Sequence, residues 1–266
     1  GAVTNYVYFS STRGLRSSWG IGFPTDFASG LLYILFISFS LFLNIPSIMF
    51  MIPGGVILFI SLFVAHSTTS SICSAVFLIF LLMMNLNRWL EDGRENWRRN
   101  SKTAKVAAVL SFPICAAFVF TLLYMGLHGH VSMLDFNEYT HARMHLSVEA
   151  FQKYGIKPFG TAFDQIGAGG STISDSRYNF VDSTYVLIPI RYGWVTFIAV
   201  MCSWIYMGVK TIKAGNKRIA LIMSIIAVHS ISEHHFPEIN YNILLIMPFA
   251  SFGDAVVNKE TYFTEW

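Results

Sequence analysis

Charge is what this chain has least of. Asp, Glu, Lys and Arg make up 12% of its 266 residues, against 54% hydrophobic residues. A soluble domain carries roughly 25% charged residues, so the composition excludes an ordinary water-soluble domain and indicates a polytopic membrane protein. Cysteine is also scarce. Cys73, Cys115 and Cys202 all fall inside apolar stretches, and three scattered thiols make neither a disulfide framework nor a zinc spacing. No aspartate-rich metal motif is present, and the net charge of +3 is too small to call for a nucleic-acid partner. The chain opens on Gly1 in polar sequence without a signal peptide. We expect it to be the C-terminal part of a longer protein.

What the chain has is apolar runs. About twenty apolar residues cross a bilayer, and the candidates are 27–43, 47–65, 71–87, 106–127, 185–208, 219–232 and 241–257. Pro53-Gly54-Gly55 in the second predicts a kink that neighbouring helices accommodate. The sixth is short and runs directly into Glu233. The expected fold is all-α, a single membrane domain over residues 1–266 with about seven transmembrane helices. A large extracytoplasmic loop, 128–184, carries short amphipathic helices within it.

Basic residues in short loops set the orientation. Arg88, Arg94, Arg98, Arg99, Lys102 and Lys105 follow the third span, and Lys210, Lys213, Lys217 and Arg218 follow the fifth. Both connectors are expected in the cytoplasm, where they also touch anionic lipid. Residues 1–26, 66–70, 128–184 and 233–240 then lie on the outer side. All eight histidines fall there or at outer ends of spans, as do Arg13, Arg16, Arg143 and Arg177. Arg191 lies within the fifth span, about two turns from its outer end; an arginine in a span faces an anion or a cavity. The outer face is therefore the expected working face.

Four constellations stand out on that face. Arg16-Ser-Ser-Trp-Gly20-Ile-Gly22-Phe-Pro24-Thr-Asp26 makes a tight turn at the membrane surface, with Asp26 as a helix cap and Arg16 directed at phosphate headgroups or pyrophosphates. His141-Ala-Arg143-Met-His145, followed by Leu146, Val148, Phe151 and Tyr154, reads as an interfacial amphipathic helix closed by Gly155. His141 and His145 share one face, and the guanidinium of Arg143 suits a diphosphate better than a lysine would. The bland alternative is a surface helix with solvated charges. Third comes Gly160 and Gly167-Ala-Gly169-Gly170, ending at Asp182-Ser-Thr-Tyr185. Backbone N–H groups of such a loop can wrap a phosphate, but no P-loop lysine is present, and Asp182 is equally suited to capping a helix. The fourth, Ser232-Glu233-His234-His235 with Tyr241-Asn242, supplies a general base or hydrogen bonds to sugar hydroxyls. Glu233, His234 and His235 with His128 and His130 have metal-ligand types. Adjacent histidines point to different sides of a helix, however, and no metal is assigned.

These pieces occur in an order that resembles the C-terminal two-thirds or so of bacterial Wzy-type polysaccharide polymerases, in the O-antigen polymerase/ligase superfamily. The matching segments are Arg16 to Thr25, His141-Ala-Arg143 through Gly160, Asp182-Ser-Thr-Tyr185 with Tyr192-Gly193, and Glu233 with Tyr241-Asn242-Ile. Departures are Phe23-Pro24-Thr25 where relatives have His-Pro-Asn, and His66-Ser-Thr-Thr-Ser-Ser without the arginine relatives carry. The resemblance implies a GT-C-like glycosyltransferase at the outer face of the bacterial cytoplasmic membrane. It would transfer a growing glycan from undecaprenyl diphosphate onto a lipid-linked repeat unit, with membrane lipid and a chain-length regulator protein as partners and no cofactor. Arg16, Arg143 and Arg191 would stabilise the departing diphosphate in place of a metal. Glu233 is the preferred base, with Asp182 the other candidate. His141, His145, His234, His235, Tyr185, Tyr241 and Asn242 would bind the diphosphate and sugars. Alternatives are an O-antigen ligase-type enzyme, a metal-dependent membrane hydrolase and a non-catalytic lipid-linked glycan transporter.

Overall fold

The computed structural model describes residues 7–10, 14–17, 23–42, 44–90, 94–129, 143–166, 180–213, 216–238 and 241–242. They are mainly helical. One short antiparallel ribbon pairs β1 (Val7–Ser10) with β2 (Gly14–Ser17), and Arg16 lies opposite Tyr8. The helices are α1 (Pro24–Leu41), α2 (Met51–Phe63, entered through a 3-10 turn at Ser47–Phe50), α3 (Thr68–Leu90) and α4 (Arg94–Leu127). Beyond them come α5 (Arg143–Tyr154), α6 (Thr184–Arg191), α7 (Gly193–Lys213) and α8 (Lys217–His229).

Among the described residues, four helical stretches are long and apolar enough to cross a membrane: Pro24–Leu41, Thr68–Asn85, Ala108–Leu127 and Gly193–Lys213. The expected second and sixth spans are apolar but shorter, Ser47–Phe63 and Arg218–His229. The seventh lies outside the described residues apart from Tyr241 and Asn242. Pro53 falls in the first turn of α2, where a missing N–H is tolerated. Pro-Gly-Gly therefore opens that helix rather than kinking a continuous span.

Helix α8 is the centre of the bundle, packing on α1, α3, α4 and α7. Ile222, Met223, Ile225, Ile226 and Ala227 are all buried, as expected of a helix apolar on every side. On the α1–α3 side Phe39 packs edge to face with Phe50 and Phe77, and Phe36 packs tilted against Phe77. Phe112, Tyr185, Trp204 and Phe236 form a second aromatic group against α4. On the outer surfaces Ile52, Phe59 and Phe63 of α2 and Ile198 and Tyr206 of α7 are exposed, an apolar girdle that suits lipid rather than water. At the end of α1, Arg218 donates to the carbonyls of Phe39, Phe42 and Ile45 and lies over the Phe39 ring. A cation on carbonyls at the C-terminal end of a helix favours that terminus.

The expected continuous span over 185–208 is two helices. Pro189 interrupts the hydrogen-bond ladder of α6, and Gly193 takes φ +92°. All of Thr184 to Ile190 is buried, whereas α7 is largely exposed; a hydropathy window merges the two because both are apolar. The break is stitched to the segment after α5. Trp194 N–H donates to Lys157 O (3.1 Å), Val195 N–H to Pro158 O (3.2 Å) and Thr161 N–H to Ile190 O (2.8 Å). Gly160 and Gly193 both have positive φ, and a Cβ on either would overlap the opposing backbone, at Arg191 and Pro158 respectively.

Gly193→Ala combines a left-handed backbone with that overlap, so it is expected to cost at least about 2 kcal/mol. Gly55→Ala, where a Cβ meets nothing within 4 Å, serves as the control. Thermal unfolding of both variants in detergent checks this, with only the first losing stability.

Candidate functional site

One end of the bundle gathers the polar residues. The first turns of α1, α3, α5 and α6 and the turn after α8 meet there, bringing Asp26, Thr69, Arg143, Asp182 and Glu233 into one neighbourhood. Helix α5 is set by Ser147, Val148 and Ala150, buried against its neighbours, and ends before Gly155 at φ +63°. That packing leaves Arg143 in the first turn of α5, where the helix dipole disfavours a cation. Carboxylates hold it there instead. Its Nη1 donates to Glu233 Oε1 at 3.0 Å and to the Ser232 carbonyl, and its Nε lies 3.6 Å from Asp182 Oδ2.

Glu233 is 2% exposed. Thr184 Oγ1 donates to its carbonyl (2.7 Å), and Thr184 N–H to Ser230 O (3.1 Å), which docks the start of α6 onto the turn. The second oxygen of Glu233 lies 3.8 Å from Nδ1 of the fully buried His235, whose Nε2 is 3.2 Å from Asp26 Oδ1. Asp26 also accepts from Phe23 N–H (3.2 Å) through Oδ2, so it caps α1 and reaches the site at once. His234 stacks on His235 with ring centres 4.2 Å apart and faces Glu238 at 3.4 Å. Tyr241 closes over His235, centroids 4.6 Å apart.

These contacts divide the two catalytic carboxyl candidates. Burial pushes Glu233 up, but the fields of Arg143, His235 and His229 and the Arg143 hydrogen bond outweigh it and hold the carboxyl down at about 2. Asp182 goes the other way. Burial dominates, Arg143 offsets it in part, and the neighbouring Glu233 adds to it, leaving the group raised to about 6. His234 is lowered to about 4, first by burial and then by the charge of His235. For His235 burial is outweighed by Asp26, through hydrogen bond and charge, and by Glu233, so its pKa is raised.

Of the residues singled out in the sequence, Arg143, Asp182, Glu233, His234, His235 and Tyr241 come together here. Others do not. Tyr185 is a core residue whose hydroxyl donates to Ala227 O (2.8 Å), and Asn242 is buried and donates to Phe236 O (3.0 Å). His145 is exposed and pairs with Glu149 along α5 at 3.0 Å. Arg191 is exposed beside Tyr192 at the α6–α7 break, although its charge reaches Glu238. His128 stacks on Tyr124 at the end of α4. His130, His141, Gly167, Gly169 and Gly170 lie outside the described residues, as does the side chain of Arg16.

Two readings need correction. His234 and His235 follow α8 in a turn and not on a helix, so adjacency does not separate their rings. With Asp26 they form a group whose ligand atoms lie within 4.8 Å of one another. The sequence also gave no sign of a polar seam running inward between α1, α3 and α8. There Ser29 Oγ lies 3.3 Å from both Ser70 Oγ and His229 Nε2, and the ring of Tyr33 stands edge-on to His229. No family model, curated protein or solved structure matches this chain.

Arg143→Ala leaves Glu233 buried without its cation, an expected loss of about 3 kcal/mol or more. Adding Glu233→Gln removes the stranded charge. Thermal unfolding should therefore show the double variant losing less than the sum of the two singles.

Proposed function

We propose that this chain is the membrane-embedded core of a glycosyltransferase that polymerises glycan on a polyprenyl diphosphate carrier, as its resemblance to Wzy-type polymerases implies. The observation that carries this reading is the pairing of one partly exposed guanidinium, Arg143, with a carboxyl raised toward neutral pH, Asp182, at 3.6 Å. Glycosyl transfer from a diphosphate needs both. The acceptor hydroxyl oxygen attacks the anomeric carbon and gives its proton to Asp182. The bond from that carbon to the diphosphate oxygen breaks, and its electron pair departs on the diphosphate, facing Arg143.

The sequence favours Glu233 as base, but the site's electrostatics favour Asp182. A carboxylate near 6 is matched to proton transfer at neutral pH, whereas one held at about 2 behind a guanidinium is a poor acceptor. Glu233 then positions Arg143, and His234 and Tyr241 line the approach for sugar hydroxyls. The donor is a growing glycan on undecaprenyl diphosphate, the acceptor a lipid-linked repeat unit at the outer face of a bacterial cytoplasmic membrane, and a chain-length regulator the natural partner.

Asp182→Asn keeps the shape of the side chain and removes the base. Cells whose only copy of the full-length gene carries it are expected to make at least about 100-fold less long-chain glycan, with membrane levels of the protein unchanged. In wild-type membranes the transfer rate should rise with pH through about 6, as the raised Asp182 carboxyl ionises. Wild-type glycan length in the Asp182→Asn strain would sink the proposal.

A further inference from the structure

Asp26 and His235 take no part in the transfer chemistry above and His234 only lines the approach to it, yet the three together have the construction of a ligand set. We propose that Asp26, His234 and His235 bind a first-row divalent transition-metal ion, with Zn2+ the best match to two imidazoles and a carboxylate. The proposal stands on geometry alone and survives if the glycosyltransferase reading fails.

Three features carry it. The first is spacing. The ligand atoms of all three residues lie within 4.8 Å of one another. His235 Nε2 and Asp26 Oδ1, 3.2 Å apart, already match the separation of about 3.3 Å between two ligands on a tetrahedral ion with bonds of about 2.0 Å. The second is an unused lone pair in an enclosed place. His234 Nδ1 is buried without a hydrogen-bond partner, where a polar atom is costly to leave unpaired. His234 binds through that Nδ1. The third is outer support. Metal-bound histidines hold their other ring nitrogen against a carboxylate. His234 Nε2 faces Glu238 Oε1 at 3.4 Å and His235 Nδ1 faces Glu233 Oε2 at 3.8 Å. The free oxygen of Asp26 is fixed by Phe23 N–H.

Charge agrees. Asp26, Asp182, Glu233 and Glu238 act on this pair of histidines, opposed by Arg143. A dication offsets the acidic excess. Three protein ligands leave a coordination position open for water or a substrate oxygen.

Co2+ is the probe, because its visible absorption reports coordination directly. The purified full chain, stripped with chelator, is titrated with Co2+ and then with competing Zn2+. The expected result is one Co2+ per chain with a low-symmetry visible band that Zn2+ abolishes. Asp26→Asn and His234→Gln should each weaken binding at least about tenfold, and Glu238→Gln by about tenfold through the outer shell. His145→Ala, an exposed histidine away from the group, should change nothing. A wild-type chain that develops no stoichiometric band overturns the proposal without recourse to any variant. Equal binding by wild type and the folded His234→Gln protein does the same.

Discussion

The ion pair between Arg143 and Glu233 is the constraint on which the working end of this bundle depends. A carboxylate almost wholly removed from water is tolerable only with a cation and hydrogen bonds beside it. Glu233 obtains the cation from the first turn of α5, and its backbone carbonyl takes a hydrogen bond from Thr184 at the start of α6. Asp182, just before α6, shares the same guanidinium. Two segments, the first turn of α5 and the stretch from Asp182 to Thr184, are thereby fixed to the turn that follows α8. His235 and Asp26 extend the network to α1. The contrast between Glu233, held ionised, and Asp182, pushed toward neutrality, follows from how closely each approaches Arg143 and how fully each is paired.

Much of this was legible in the sequence, for identifiable reasons. Apolar runs marked α1, α3, the apolar part of α4, and α7, because length and hydropathy are local properties. Basic loops implied that residues near 26, 66–70, 143, 182 and 233 share one side, and the bundle does gather Asp26, Thr69, Arg143, Asp182 and Glu233 at one end. The spacing of Leu146, Val148, Phe151 and Tyr154 marked α5, whose end falls at Gly155.

What escaped is what depends on distant partners. Ser29 and His229 meet across 200 residues, and no periodicity announces such a contact. Asp26 looked like a cap because one of its oxygens is one; the other meets His235. Treating Glu233-His234-His235 as helical turned the two histidines apart, whereas the turn after His229 stacks them. The α6–α7 break was hidden because a span-length window averages Pro189 and Arg191 to Trp194 with the apolar residues on both sides, and it cannot tell a buried helix from a lipid-facing one.

The brevity of α8 reaches beyond packing. Thirteen residues rise about 20 Å, whereas the hydrocarbon layer is about 30 Å thick. With its first turn anchored by Arg218, the central helix is too short to cross such a layer by itself. Glu233 and His235, which follow it directly, are walled by longer neighbours and almost wholly removed from solvent. Salt screens buried charges far less than surface ones, so these groups feel one another at similar strength whatever the salinity outside.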